Sequence, residues 1–106
     1  METVPCVLFC TVPTQDVASR IAHALVSEKL VACVNIIPNL TSVYTWEEKV
    51  CEDAELLLMM KSKSSLFESI KMRILELHPY KVPEIILLDI KDGHDAYLSW
   101  IGEVTM

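Results

Sequence analysis

Glycine and arginine are scarce in this chain. Its 106 residues contain two glycines and two arginines, Arg20 and Arg73, and no basic run. With a net charge of −6 and a pI near 4.9, nothing favours a nucleic-acid partner or attachment to an anionic membrane surface. No apolar run reaches the ~18 residues that a spanning helix needs. The opening "METVPCVLFCTVP" has no basic segment ahead of its short, strand-like apolar core, which speaks against a signal peptide. No CxxC pair occurs among Cys6, Cys10, Cys33 and Cys51, which suit a reducing compartment as free thiols and read as small buried hydrophobes. The expectation is a soluble, cytoplasmic protein with no membrane segment.

Apolar surface, by contrast, is plentiful. The length fits one domain, residues 1–106, and 52% of the residues are hydrophobic. A chain of this size buries only about two-thirds of the surface that its unfolded form exposes. That points to self-association.

The pattern along the chain alternates between two periods. Val4 to Val12 reads as a strand. "TQDVASRIAHALVSEKL" then turns helical, with Thr14 as N-cap and Asp16 in the first turn. The stretch from Leu30 to Val50 is β-branched and aromatic, and Pro38-Asn39 marks a bulge within it. "TWEEKVCED" reads as a hairpin tip and "AELLLMMKSK" as the returning strand, apolar on both faces. "SSLFESIKMRILELH" is a second helix with a Ser65/Glu68 capping box, "VPEIILLDI" a fourth strand, and "DGHDAYLSWIGEV" a short terminal helix. The order β-α-β-β-α-β plus a helix predicts an α+β, ferredoxin-like sandwich with a long β2–β3 hairpin. Both main helices cover one sheet face, so the apolar second face predicts subunits that cover one another.

Candidate functional residues follow from this layout. His23 reads as a helix-surface or packed residue, and His94 as an exposed or capping one. His78 ends the second helix, where a histidine caps the last carbonyls, and Cys10 ends the strand that this fold brings near it. A thiolate and an imidazole suit copper or zinc, although two donors fall short of the usual three or four. A Cys10–His78 nucleophile pair lacks an oxyanion cradle, and "CTVPTQD" offers neither the arginine nor the glycine-rich loop of an acylphosphatase-like hydrolase. The chain therefore reads as non-enzymatic, with no organic cofactor. Tyr44 and Trp46 share one face of the hairpin, and Tyr80 and Glu84 flank the corner "HPYKVPE". Buried tyrosine and tryptophan want polar partners, which favours interfaces, and the Glu84 carboxylate could meet such a hydroxyl.

"LVACVN", "TSVYTWEEKV", "LHPYKVPEI" and "YLSW" resemble, in order and spacing, the CutA divalent-cation-tolerance family. The resemblance runs from about Val7 to Trp100. It implies a ferredoxin-like homotrimer whose long hairpins pair between subunits, and binding of copper or another divalent cation. The implied metal ligands are Cys10 and His78; where bacterial relatives carry a second histidine, this chain has Leu77. The family is similar in architecture to the PII nitrogen-signalling proteins. The alternative it implies is a trimeric sensor or scaffold that takes a small ligand in clefts between subunits, lined by Tyr44, Trp46, Tyr80 and Glu84.

Overall fold

The computed structural model describes residues 3–106. Strand β1 (Pro5–Val12) buries every second residue, so Cys6, Leu8, Cys10 and Val12 lie on one face at zero exposure. Helix α1 (Gln15–Ser27) starts as its sequence dictates. The Thr14 hydroxyl accepts the Val17 N–H at 3.2 Å, and Asp16 lies in the first turn. Helix α1 ends without a glycine. Lys29 takes φ 61°, while Lys29 and Leu30 donate their N–H groups to the carbonyls of Val26 and Leu25. This is the paired closure that a left-handed residue after a helix allows, and glycine adopts that conformation at lower cost.

Strands β2 (Cys33–Trp46) and β3 (Lys49–Lys63) form a long hairpin, followed by a 3₁₀ turn at Ser64–Leu66, α2 (Phe67–Leu77), β4 (Ile86–Asp89) and α3 (Asp95–Glu103). The sheet order is β2-β3-β1-β4 with every neighbour antiparallel. On one face, Leu8, Cys10, Leu58 and Met60 pack with Ile21 and Leu25 of α1 and Ile70 and Ile74 of α2 to form the core. Side chains of the alternate residues point to the other face. Phe9, Ile37, Leu57 and Met59 are half-buried there, whereas Ile86 and Leu88 are exposed. Helix α3 closes one end of this second face. Tyr97 meets Cys33 at 3.7 Å, and Lys63 Nζ donates to the Gly102 carbonyl at 3.2 Å.

The elements differ from the sequence-based expectation in three places. The hairpin tip is only Glu47-Glu48, both at positive φ (50° and 66°), and β3 begins at Lys49, so most of "TWEEKVCED" is strand. A two-residue turn of that handedness matches the twist of its strands, which is why pairing runs to the tip. No capping box forms. Ser65 bonds instead to Thr3, through its hydroxyl at 2.9 Å and its N–H at 3.2 Å, while Ser64 Oγ accepts the Val4 N–H. The two serines tie the head of α2 to the start of β1. Strand β4 covers only Ile86–Asp89 rather than the whole of "VPEIILLDI". Pro83 has no N–H to give a ladder. The bulge lies where Pro38-Asn39 predicts it, with a register shift between Ile37 and Leu40 and Asn39 at φ 65°.

Candidate functional site

The sheet ends at a cleft of about 830 Å³. One wall is the hairpin segment Ser42–Trp46, and the other is the chain that leaves α2, Pro79–Glu84 excepting Pro83. Thr11 and Glu55, on β1 and β3, complete the lining. Two features of the sequence place this second wall. Pro79 disfavours helical geometry at the residue before it, and His78 accordingly turns extended (φ −83°, ψ 133°) while its N–H still closes on the Ile74 carbonyl at 2.8 Å.

The His78 ring then locks the corner. The side chain folds back against β1, leaving the residue 8% exposed. Nδ1 accepts the Tyr80 N–H at 3.1 Å, and Nε2 lies 2.8 Å from the Thr11 carbonyl. An Nδ1 that accepts carries no proton, so Nε2 carries it and donates to Thr11. The Tyr80 ring tilts onto the imidazole at 4.7 Å between centroids. Its hydroxyl donates to Glu55 Oε2 at 2.6 Å. Burial, together with that bond to a carboxylate, holds the Tyr80 hydroxyl well above its ordinary range. Across the cleft, Tyr44 donates to Asp53, and this bond pushes its hydroxyl up to about 12.

Cys10 lies beneath this corner, on the core face of β1. Burial, with the nearby charges of Glu84 and Glu55, pushes its thiol up to about 12. A cysteine ligates a metal as the thiolate, and a histidine through a ring nitrogen whose lone pair is free. Here the thiol is protonated, and both His78 nitrogens are bonded to backbone. Among the described residues no three His, Cys, Asp or Glu side chains converge. A metal ion at Cys10 and His78 would have to release the thiol proton and one of the two backbone bonds of the ring. His23 is exposed on α1. His94 precedes α3 without a side-chain cap bond, although its carbonyl accepts from Tyr97 and Leu98.

Tyr44, Trp46, Tyr80 and Glu84 all line the one cleft. The Tyr80 hydroxyl bonds Glu55 of β3, a residue only 7% exposed, rather than Glu84. Sequence reasoning missed Glu55 and Thr11. The one signal for Glu55 was a charge heading the apolar run "LLLMM", where a buried strand would otherwise carry none. Thr11 acts through its carbonyl, which no side-chain pattern reports.

The family model described as "CutA1 divalent ion tolerance protein" matches residues 6–104. The chain belongs to that family. Among curated relatives, the Divalent-cation tolerance protein CutA of Thermus thermophilus is 52% identical over 99 residues, covering 93% of this chain and 96% of that protein. Protein CutA of mouse is 44% identical over 97 residues, and the match spans 92% of this chain but 55% of the mouse protein. The solved structure titled as the divalent cation tolerance protein from Thermus thermophilus superposes with a TM-score of 0.94 at 50% identity, covering 96% of this chain and 99% of that one. None of these names carries an enzymatic activity. The names in this family also span compartments. A rice relative, 46% identical over 97% of this chain and 59% of its own length, is named chloroplastic. An Archaeoglobus fulgidus structure, 33% identical with a TM-score of 0.91 over 94% of this chain and 97% of its own, is titled periplasmic. The cytoplasmic expectation therefore rests on the sequence alone. Among the described residues no helix is long and apolar enough to cross a membrane.

Proposed function

We propose that this CutA1-family chain is a non-enzymatic, homotrimeric binding protein that takes a small ligand in the cleft of Tyr44, Trp46, Tyr80 and Glu84. The observation that carries this reading is Glu55, a carboxylate 7% exposed at that cleft whose bonded partner is a single tyrosine hydroxyl. A group so placed suits recognition: a few polar atoms fixed among apolar and aromatic walls. Self-association is supported by the second sheet face, where Ile86 and Leu88 are 49% and 55% exposed on an edge strand, and the number three by the family resemblance. An apolar edge of this kind is a liability unless another chain covers it. A thermal-shift screen with small ligands and metal ions tests the reading, since whatever binds only the folded state raises the melting temperature. Shifts that Trp46→Leu abolishes are expected; ligand shifts untouched by that change would place the site elsewhere.

The family's description as divalent ion tolerance proteins favours a second reading, which we place at Cys10 and His78 with a divalent cation such as copper. There the cation would have to displace the thiol proton and the Tyr80 N–H. Copper titration of the parent beside Cys10→Ser and His78→Ala variants tests it, and equal binding by all three removes the pair from consideration.

A further inference from the structure

The geometry points to a primary ammonium ion on a small apolar body as the ligand of this cleft, with Glu55 as its counter-charge and the rings of Tyr44, Trp46 and Tyr80 as its walls. The inference rests on the cleft-binding reading and adds the ligand's chemical class. Three observations carry it.

First, Glu55 is a nearly buried carboxylate without a cation. Tyr80 holds Oε2 at 2.6 Å, and among the described residues no donor reaches Oε1 and no ion pair involves Glu55. Neither carboxylate oxygen is buried and unpartnered, so Oε1 keeps solvent access at a residue that lines the cleft. A carboxylate this far withdrawn from water, with one oxygen bonded and the other left only partial hydration, gains when a positive group joins it. Second, the charges around it repeat the same sign. Glu84 also lines the cleft, and Asp53 sits behind Tyr44. The single basic residue of the lining, Lys81, is exposed and pairs with neither Glu55 nor Glu84. Such a cleft repels anions and concentrates cations.

Third, the walls suit an organic cation better than a bare metal ion. A metal needs several converging donors, and the described residues bring no three together. The tyrosine hydroxyls are already committed as donors to Glu55 and Asp53. What remains free is ring surface, and aromatic faces attract ammonium groups and also pack alkyl groups. An N–H donor on the cation would bond Oε1, which no protein donor reaches among the described residues.

Isothermal titration of the purified full-length protein with three probes of one shape separates the possibilities. tert-Butylammonium, tert-butanol and pivalate carry the same alkyl body with positive, zero and negative charge. tert-Butylammonium should bind at least tenfold more tightly than either of the others. Glu55→Gln keeps an acceptor for Tyr80 but removes the charge, and should erase that preference. Trp46→Leu, at an exposed position outside the core, should weaken tert-butylammonium at least threefold. Tetramethylammonium, which has no N–H, should bind more weakly than tert-butylammonium. Equal binding of all three isosteres, sensitive to Trp46→Leu, would leave the cleft as a ligand site and overturn the ammonium assignment. No heat from any probe would overturn both. Dissociation of the oligomer by Glu55→Gln, with no ammonium bound by the parent, would show that a lysine of a second copy supplies the counter-charge, and would also overturn the assignment.

Discussion

Replacing His78 by alanine separates a structural histidine from a metal-ligating one. The ring makes two bonds to backbone groups, to the Thr11 carbonyl at 2.8 Å and from the Tyr80 N–H at 3.1 Å, while the residue is 8% exposed. Removing the ring leaves two backbone groups near the core without their partner, at about 1–3 kcal/mol each and so about 3–4 kcal/mol for the pair in mid-range. Loss of the ring's packing against Tyr80 adds to this. The metal-free His78→Ala protein should therefore be less stable by about 3–4 kcal/mol. Guanidinium chloride unfolding in the presence of a chelator, at one fixed protein concentration, reads this directly. With an m-value of ~3 kcal/mol/M, the midpoint should fall by about 1 M. His78→Gln, which keeps both a donor and an acceptor, should recover part of the loss. The reasoning fails if the metal-free variant unfolds with the parent and the two differ only when copper is added, because the histidine would then contribute only through the ion.

Three further outcomes follow from geometry already described. Alkali should destabilise the fold above pH 9: burial raises the Cys6 and Cys10 thiols from 9.0 to about 11 and about 12, so the unfolded chain loses those protons first and the stability present below pH 9 is lost as pH rises through the folded values. While both thiols ionise only in the unfolded chain the slope is about 2.7 kcal/mol per pH unit; urea midpoints in reductant at pH 8 and 10.5 measure it, and identical midpoints would contradict it. Replacing the hairpin tip Glu47-Glu48 by Asn-Gly removes two ordinary residues from positive φ and should raise stability by about 1–2 kcal/mol in thermal unfolding, with no gain if the tip is shaped by other contacts. Thr14→Ala removes the cap of α1 and should cost about 1 kcal/mol by chemical denaturation, with a neutral result showing that water replaces the hydroxyl.

The elements were legible where one local rule governed them. Thr14 caps α1, Pro38-Asn39 makes the bulge, and the alternation of Cys6, Leu8, Cys10 and Val12 survives unchanged as a buried face. Where two rules competed, reading the sequence chose the wrong one. Ser65 and Glu68 have capping-box spacing, yet Thr3, 62 residues away, claims the serine and the helix starts later. Polar residues in "TWEEKVCED" suggested a broad tip, yet pairing with β2 holds all but two of the central ones in strand.

The site divides along the same line. The alternation of side chains on a strand and the two prolines of "HPYKVPE" were enough to put Tyr44, Trp46, Tyr80 and Glu84 on one short list, because both are local constraints on direction. Which carboxylate would take the Tyr80 hydroxyl, and whether His78 would keep a free nitrogen, depended on strands and helices 25 and 67 residues apart in the chain. Composition determined that this protein carries more apolar surface than its size easily hides, and motif spacing determined its family. Only the tertiary structure decided that His78 clamps the backbone, that the Cys10 thiol stays protonated, and that Glu55 faces the cleft without a cation. Each of those properties comes from burial and from the partner opposite, and neither is written at the residue itself.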